Sequence, residues 1–419
     1  MGEYHIIGGK RLMGEVRAGG SKNAVLPMFA ATVLNGGKSV LHNCPIIQDT
    51  LTSIEILKHI GCTAEVHGNT VTIDSAPANS WHVPEEYTQM MRSSILFMGG
   101  LLGRFRRAEI SFPGGCNLGS RPIDLHTKAM GAMQCSIQTS ETLRCSADSL
   151  TGFTHHLDFP SVGATENIML AAVLAEGETV IGNAAREPEI VDLARFLNGM
   201  GADVRGAGSG TIVIQGVEKL HDVEHRVMPD RIVGGTYLLA AAITGGEILL
   251  TETNPLDLIP ATAKLAEMGC RVIESEDTIA LKAPQRLKYL TKLETCPHPG
   301  FPTDLQAPFV AALCVADGTS VVEETVFNSR SGHIPELSRM GADVMVMQDG
   351  RNFVIRGVKT LHGANVQATD LRCGAALILA GLAAVGETVV TDGYHVERGY
   401  QDIVSDLRGI GAEIRHVSL

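Results

Sequence analysis

Six times along the chain, a bulky apolar residue precedes a turn residue, a small residue and a short strand-like run. The segments are Ile60-Gly61-Cys62, Met133-Gln134-Cys135, Met200-Gly201-Ala202, Met268-Gly269-Cys270, Met340-Gly341-Ala342 and Ile410-Gly411-Ala412. Their middle residues lie 73, 67, 68, 72 and 70 positions apart, so six units fill the 419 residues. A period of this length is the mark of one supersecondary unit used repeatedly. Gln134 stands where the other five units have glycine.

A second landmark recurs in each unit. A turn precedes a β-branched run at Gly37-Lys38-Ser39-Val40, Gly177-Glu178-Thr179-Val180, Gly246-Glu247-Ile248, Gly318-Thr319-Ser320-Val321 and Gly386-Glu387-Thr388-Val389. The second unit offers only Arg107-Ala108-Glu109-Ile110 in that place. Apolar, alanine-rich stretches of helical length come before each turn, and shorter amphipathic helices such as Ile190 to Met200 come before each glycine-small pair. One unit therefore reads helix, strand, helix, strand, strand. Such a module cannot cover its own apolar helix, whereas three around a common axis can. The expectation is an α/β protein of two similar domains, each of three repeats.

At 44% hydrophobic and 19% charged residues the chain can bury a large interior. A net charge of −12 with no basic block, and an aromatic content of 4%, argue against nucleic acid as a partner. No apolar run reaches the roughly 18 residues of a spanning helix, so membrane insertion is not expected. Nine scattered cysteines without a CxxC pair read as reduced thiols, and with no signal-like start the expected location is cytoplasmic. The fifteen histidines show no HExxH or paired Cys/His spacing, so no metal site is expected.

Polar residues cluster at the starts of the six long helices. They are Ser21-Lys22-Asn23, Arg92-Ser93-Ser94, Ser161-Val162-Gly163-Ala164-Thr165, Asp230-Arg231, Thr303-Asp304 and Asp370-Leu371-Arg372. Lys22 and Arg231 precede their turn glycines by 15 residues, and Asp304 and Arg372 precede theirs by 14, so these are equivalent positions. Threefold packing would gather them at one end of each domain. Helix N-termini attract anions, and a cation there opposes the dipole unless a ligand is bound. Asp230, Asp304 and Asp370 are equally well explained as N-caps. No stretch matches a Walker loop or a dinucleotide fingerprint, so neither ATP nor NAD is indicated.

The run Pro113-Gly114-Gly115-Cys116-Asn117-Leu118-Gly119-Ser120-Arg121-Pro122 is too glycine-rich for helix or strand and reads as a loop. Cys62, Cys135 and Cys270 share one repeat position beside a buried turn, and Cys314 lies in an apolar helix, so these read as packing thiols. Cys116 has no such place. Cations nearby would lower its pKa, and a reactive thiol and an incidental one remain equally open on the residues alone.

Several long segments resemble one family. GGSKN, Met91-Arg92-Ser93-Ser94, PGGCNLGSRPIDLH, SVGATENIM, AAREPEIVD, MPDRI, FPTDLQAPF, HIPELSRMGADV, TDLRCGAAL and YHVERGY occur in unbroken order from Glu3 to the end. They are similar to the UDP-N-acetylglucosamine 1-carboxyvinyltransferases, members of the enolpyruvyl transferase family. The resemblance implies two inside-out α/β domains of three pseudo-threefold repeats each. Residues 1–21 with 230–419 would form one domain and 22–229 the other, with the active site in the cleft between them. It implies transfer of the enolpyruvyl group of phosphoenolpyruvate to the 3′-hydroxyl of UDP-N-acetylglucosamine, an early step of cell-wall peptidoglycan synthesis, with no cofactor. These two small molecules would be its partners.

By the same resemblance, Cys116 would be the proton donor and the point of alkylation by fosfomycin, and Asp304 the base for the 3′-hydroxyl. Lys22, Asn23, Arg121 and Arg398 would hold phosphoenolpyruvate. Arg92, Arg121, Pro122, Ile123, Asp124, Leu125, Ser161, Val162, Asp304 and Val326 would hold the nucleotide sugar. Arg231, Arg330, Asp370 and Arg372 would support them. The chain departs from the family pattern after Arg330, where Ser331 and Gly332 replace larger residues, one of them aromatic, and at Gln134. Two rivals carry distinct expectations. The related shikimate-pathway enzyme lacks the cysteine loop, and a non-catalytic paralogue would bind the UDP-sugar without releasing phosphate.

Overall fold

The computed structural model describes residues 2–112 and 123–418. Cys116, Arg121 and Pro122 lie outside the described residues. The chain divides into two compact units, one from the residues up to Gly19 with those from Pro229 onward, the other from Gly20 to Met228.

Each unit is built around three apolar helices. In the first unit they are Arg231–Ile243, Gln306–Leu313 and Leu371–Ala383, and all three pack against one another. In the second they are Lys22–Ala31, Phe97–Phe105 and Val162–Ala172, again in mutual contact. Every residue from Arg231 to Ile243 is buried, as suits a helix apolar on all sides. Close approach in the second unit depends on glycine. A methyl on Gly100 would stand 2.3 Å from the Ala30 carbonyl oxygen, and one on Gly99 2.5 Å from that of Asn167.

Three four-stranded sheets enclose each helix trio. In one, Glu247–Thr251 runs parallel to Met13–Arg17 and antiparallel to Ile279–Lys282, which pairs in turn with Arg271–Glu274. Leu249 faces Glu15 on one side and Ala280 on the other. All six sheets repeat this order. Ile248 and Leu250 alternate inward with exposed Glu247, the pattern of a sheet with one solvated face.

The module has one strand more than the sequence pattern suggested. A short leading strand, such as Thr154–His156 or Asn365–Gln367, runs parallel to the strand after the turn. At two to five residues, mostly polar, it carries little periodicity. In four modules this strand precedes its own long helix in the chain, with shorter helical segments between the two in a pair of them. In the two modules where the chain changes unit, the leading strands are exchanged. Met13–Arg17, just before the Lys22 helix, joins the Glu247 sheet, while Val223–Arg226, just before the Arg231 helix, joins Lys38–His42. The first strand, Gly2–Ile7, completes the last sheet between Glu387–Thr391 and Glu413–Ser418.

The recurrent glycines have one backbone cause. Gly61, Gly201, Gly269, Gly341 and Gly411 have φ between 91° and 102°, and Gln134 is held at 66° in the same role. A side chain in this left-handed region costs about 1–2 kcal/mol. Replacing the exposed Gln134 by Gly is therefore expected to stabilise its unit by about 1 kcal/mol after the greater chain entropy of glycine is counted. A urea midpoint that fell instead would show that the Gln134 side chain makes a compensating contact.

Candidate active site

The starts of the long helices carry the residues singled out above. Ser21 and Ser161 cap their helices by accepting from the backbone N–H of Ala24 and Ala164. Asp230 and Asp370 do the same, each through Oδ1, for the second and third amides that follow. Asp304 is different. It makes no cap and lies in the 3-10 turn Thr303–Leu305 that leads into Gln306–Leu313.

In the first unit Asp304 joins two cations. Its Oδ1 accepts from Arg330 Nη2 at 2.8 Å and its Oδ2 from Arg372 Nη2 at 2.8 Å. Arg330 also donates to Thr303 Oγ1 at 2.6 Å, and Thr303 donates to Glu324 Oε2 at 2.8 Å. The other carboxylate oxygen of Glu324 accepts from the Val326 and Phe327 amides. The Arg330 guanidinium lies 4.9 Å from the Phe327 ring centre. Burial by itself would raise the Asp304 pKa; the two facing guanidiniums, hydrogen bonded as well as close, outweigh it and hold the carboxyl well below the usual range. Burial alone would lower the Arg372 pKa, but Asp304 with Tyr400 and Asp230 raises it overall. Tyr400 meets Thr236 Oγ1 at 2.9 Å, and because Thr236 donates to the Ile232 carbonyl, the phenol is the donor to Thr236. Arg231 is buried at the start of its helix and Arg398 ends the short helix Tyr394–Glu397 half-buried.

In the second unit Lys22 opens its helix and its Nζ lies 2.7 Å from Asp49 Oδ2, with both side chains largely buried. Asn23 follows it, half-buried. Arg92 opens the 3-10 turn Arg92–Leu96, where burial lowers its pKa. Beside it His126 is buried in the helix Asp124–Ala132, which Ile123 precedes and whose first turn begins with Asp124 and Leu125. Burial first, then the Arg92 charge, pushes His126 down to about 4, with Asp124 opposing. Asn167 ties this corner together. Its Oδ1 accepts from the Gly99 amide at 2.7 Å, and its Nδ2 reaches the Ile95 carbonyl at 3.0 Å and His126 Nδ1 at 2.8 Å. Glu166, one turn into the Val162 helix, is held well above the usual carboxylate range by burial and then by Glu189 and Glu187.

The sequence pattern thus located cations at helix starts, and the tertiary structure supplies internal partners for several of them. Thr303 was visible only as the polar neighbour of Asp304, and Asp49, Glu324, Tyr400, His126 and Asn167 carried no signal that distinguished them in sequence. His126 and Asn167 lay within quoted motifs but have spacings typical of ordinary helix faces. Cys62, Cys135, Cys270 and Cys314 are buried thiols, pushed up by burial to about 12, 11, 12 and 12 respectively. This fits their reading as packing residues. Among the described residues no group of three or more His, Cys, Asp or Glu could hold a metal ion, and no helix is long and apolar enough to cross a membrane.

Comparison with known proteins agrees with this architecture. A family model described as EPSP synthase (3-phosphoshikimate 1-carboxyvinyltransferase) matches residues 6–407. UDP-N-acetylglucosamine 1-carboxyvinyltransferase 2 of Caldanaerobacter subterraneus subsp. tengcongensis is 50% identical over 415 residues, 99% of each chain. The protein of the same name from Carboxydothermus hydrogenoformans is 48% identical over 421 residues, 100% of both chains. The crystal structure of the enolpyruvyl transferase NikO from Streptomyces tendae matches with a TM-score of 0.89 at 27% identity, covering 100% of this chain and 99% of that one. EPSP synthase from Acinetobacter baumannii shares the fold, with a TM-score of 0.74 at 20% identity and full coverage of both chains. With half of its residues shared along nearly its whole length, the chain belongs to the enolpyruvyl transferases and, within them, to the UDP-N-acetylglucosamine 1-carboxyvinyltransferase family.

Proposed function

We propose that this enzyme transfers the enolpyruvyl group of phosphoenolpyruvate to the 3′-hydroxyl of UDP-N-acetylglucosamine with release of phosphate. The observation that carries this reading is 48–50% identity, over 97% or more of the chain, to relatives bearing that activity in their names. Peptidoglycan synthesis, and so cell-wall growth and division, is the corresponding role, and the cytoplasm the corresponding place.

The chemistry moves two protons before phosphate leaves. The Cys116 thiol gives a proton to the methylene carbon of phosphoenolpyruvate. The sugar 3′-oxygen bonds to the adjacent carbon while its proton passes to Asp304. Phosphate then departs with its bridging oxygen, and loss of a proton from the new methyl group restores the double bond. Lys22, Asn23, Arg121 and Arg398 hold the phosphate and carboxylate, where fixed positive charge stabilises the adduct. Arg92, Arg121, Pro122, Ile123, Asp124, Leu125, Ser161, Val162 and Val326 bind the nucleotide sugar, and Arg231, Arg330, Asp370 and Arg372 support the site. An aspartate held between two arginines is a poor base. Asp304 gains basicity only when the incoming hydroxyl takes the place of one guanidinium.

Phosphate release is the direct test. Turnover is expected with UDP-N-acetylglucosamine as acceptor, none with shikimate 3-phosphate, and loss of turnover after incubation with fosfomycin. Release only with shikimate 3-phosphate would overturn the proposal. Binding of the UDP-sugar without phosphate release would mark a non-catalytic paralogue instead.

A further inference from the structure

The helix Pro255–Glu267 carries an apolar line along its exposed side. Leu256 is 70% exposed, the highest value for a large apolar side chain among the described residues, and Ile259 is 48% exposed. Ala263 and Ala266 continue the exposed line. The four positions follow one another by three, four and three, the spacing of a seam that packs against a second helix. The repeat supplies an internal comparison. At one or other of the positions equivalent to the two alanines, counted back from the turn residue, the other five modules expose Lys58, Lys128, Arg195, Ser338 and Arg408. A polar side chain is the ordinary occupant of a solvated helix face, and only this module departs from it.

The two ends of this face carry opposite charge. Where the helix starts, Asp257 accepts from Asn254 at 2.9 Å. The exposed Glu276 and Asp277 stand in a turn held to the incoming chain by the Thr253 amide, which donates to the Asp277 carbonyl at 3.0 Å. Where the helix ends, Lys264 is paired with Glu267 at 2.8 Å. The exposed Lys288 donates its amide to the Met268 carbonyl at 2.9 Å, and its side chain lies beside Gly269. The strand Arg271–Glu274 runs back along the helix, with Glu274 accepting from Thr262, and its two end residues repeat this polarity.

We propose that this helix is a contact between two copies of the chain, paired antiparallel about a two-fold axis. Pairing centred at the level of Ala261 sets Leu256 of one copy against Ala266 of the other, and Ile259 against Ala263, so each large side chain meets a small one. The same arrangement brings the acidic end of one helix to the basic end of the other and opposes the helix dipoles. Parallel pairing would set Leu256 on Leu256 and acid on acid, which is disfavoured. The helix has 13 residues and is about 20 Å long. A contact of that size is smaller than the interface of a stable complex, so the pairing is weak, with a Kd on the order of 10⁻⁵ M. All of these residues belong to the unit that runs from Pro229 onward, and none takes part in the reaction proposed above.

Sedimentation velocity of the full chain at low salt reads the pairing. The weight-average mass is expected to rise from 44.5 kDa toward twice that value as concentration increases from about 1 µM to about 200 µM. Ile259→Lys is expected to stay monomeric over the whole range, with a urea midpoint near that of the unaltered protein. Two further variants test the geometry. Glu276→Lys with Asp277→Lys reverses two charges at the acidic end, and Lys264→Glu with Lys288→Glu reverses two at the basic end. Each of these alone is expected to pair about tenfold more weakly, and their equimolar mixture to regain the mass of the unaltered protein. An unaltered protein that stays monomeric, an Ile259→Lys variant that pairs as well as its parent, or a mixture that pairs no better than its components overturns the proposal. If Ile259→Lys does not fold, the mixture of charge-reversed chains decides alone.

Discussion

Replacing Asp304 by Asn is expected to lower turnover by about 10²–10⁴-fold and to destabilise its unit by about 3 kcal/mol. The catalytic loss follows from the proposed transfer of the 3′-hydroxyl proton to this carboxylate. The stability loss has a separate cause. Arg330 and Arg372 have side-chain exposures of only 6% and 8%, and the substitution leaves both without their shared counter-charge. About a quarter of the Asp304 side chain still reaches solvent, which keeps the cost at the low end for a broken buried pair. Thr303 and Tyr400 still accept from the arginines, limiting the effect further.

The pH dependence of that loss gives a check on its cause. The folded carboxyl has a pKa below the unfolded value of about 3.9, so its contribution is complete above that value and disappears as pH falls through the folded one. The stability difference between the parent and Asp304→Asn should be level from about pH 5 upward and shrink on acidification below about pH 4. Urea unfolding at a series of pH values measures it. A difference as large at pH 3 as at pH 7 would mean that lost packing, not lost charge, is responsible.

Replacing Cys116 by Ser is expected to reduce phosphate release by about 10³-fold, whereas Cys116→Asp should retain turnover with a more acidic optimum. A serine hydroxyl is far too weak an acid to protonate the methylene carbon, while a carboxylic acid can donate in its protonated form. Carboxyl protonation falls as pH rises through its pKa, so the Asp variant should lose rate toward neutral pH, where the thiol enzyme still works. Steady-state phosphate release from pH 5 to pH 8 distinguishes the three proteins. A serine variant with near-parental turnover would remove Cys116 from the proton-transfer step. If Cys116 is the point of attack that the resemblance implies, the same variants should resist fosfomycin.

Much of the fold was legible because it is repeated. The Gly61 to Gly411 series marks turns whose left-handed backbone favours glycine, and six such turns spaced about seventy residues apart define six modules. Gln134 was visible as an exception, and the structure shows it holding the same backbone conformation without the residue that suits it. The long helices were legible from their apolar composition, and their starts from Ser21, Ser161, Asp230 and Asp370. The short leading strands escaped, since three residues such as Thr154-His155-His156 form a strand only because a neighbour is already in place.

The candidate site divides along the same line. A lysine or arginine at a helix start is a local anomaly, visible in one dimension because it opposes the dipole of the turn that carries it. Its counter-charge is not local: Asp49 lies 27 positions from Lys22, and Asp304 lies 68 from Arg372. The sequence alone determined the six modules, the apolar helices and the positions where polar groups gather. Only the tertiary structure decided which strands are exchanged where the chain changes unit, which carboxylates neutralise the cations, and that Asn167 meets His126. Propensity and periodicity act between residues a few positions apart, whereas ion pairs, tautomers and strand partners depend on distances that exist only once the chain has closed on itself.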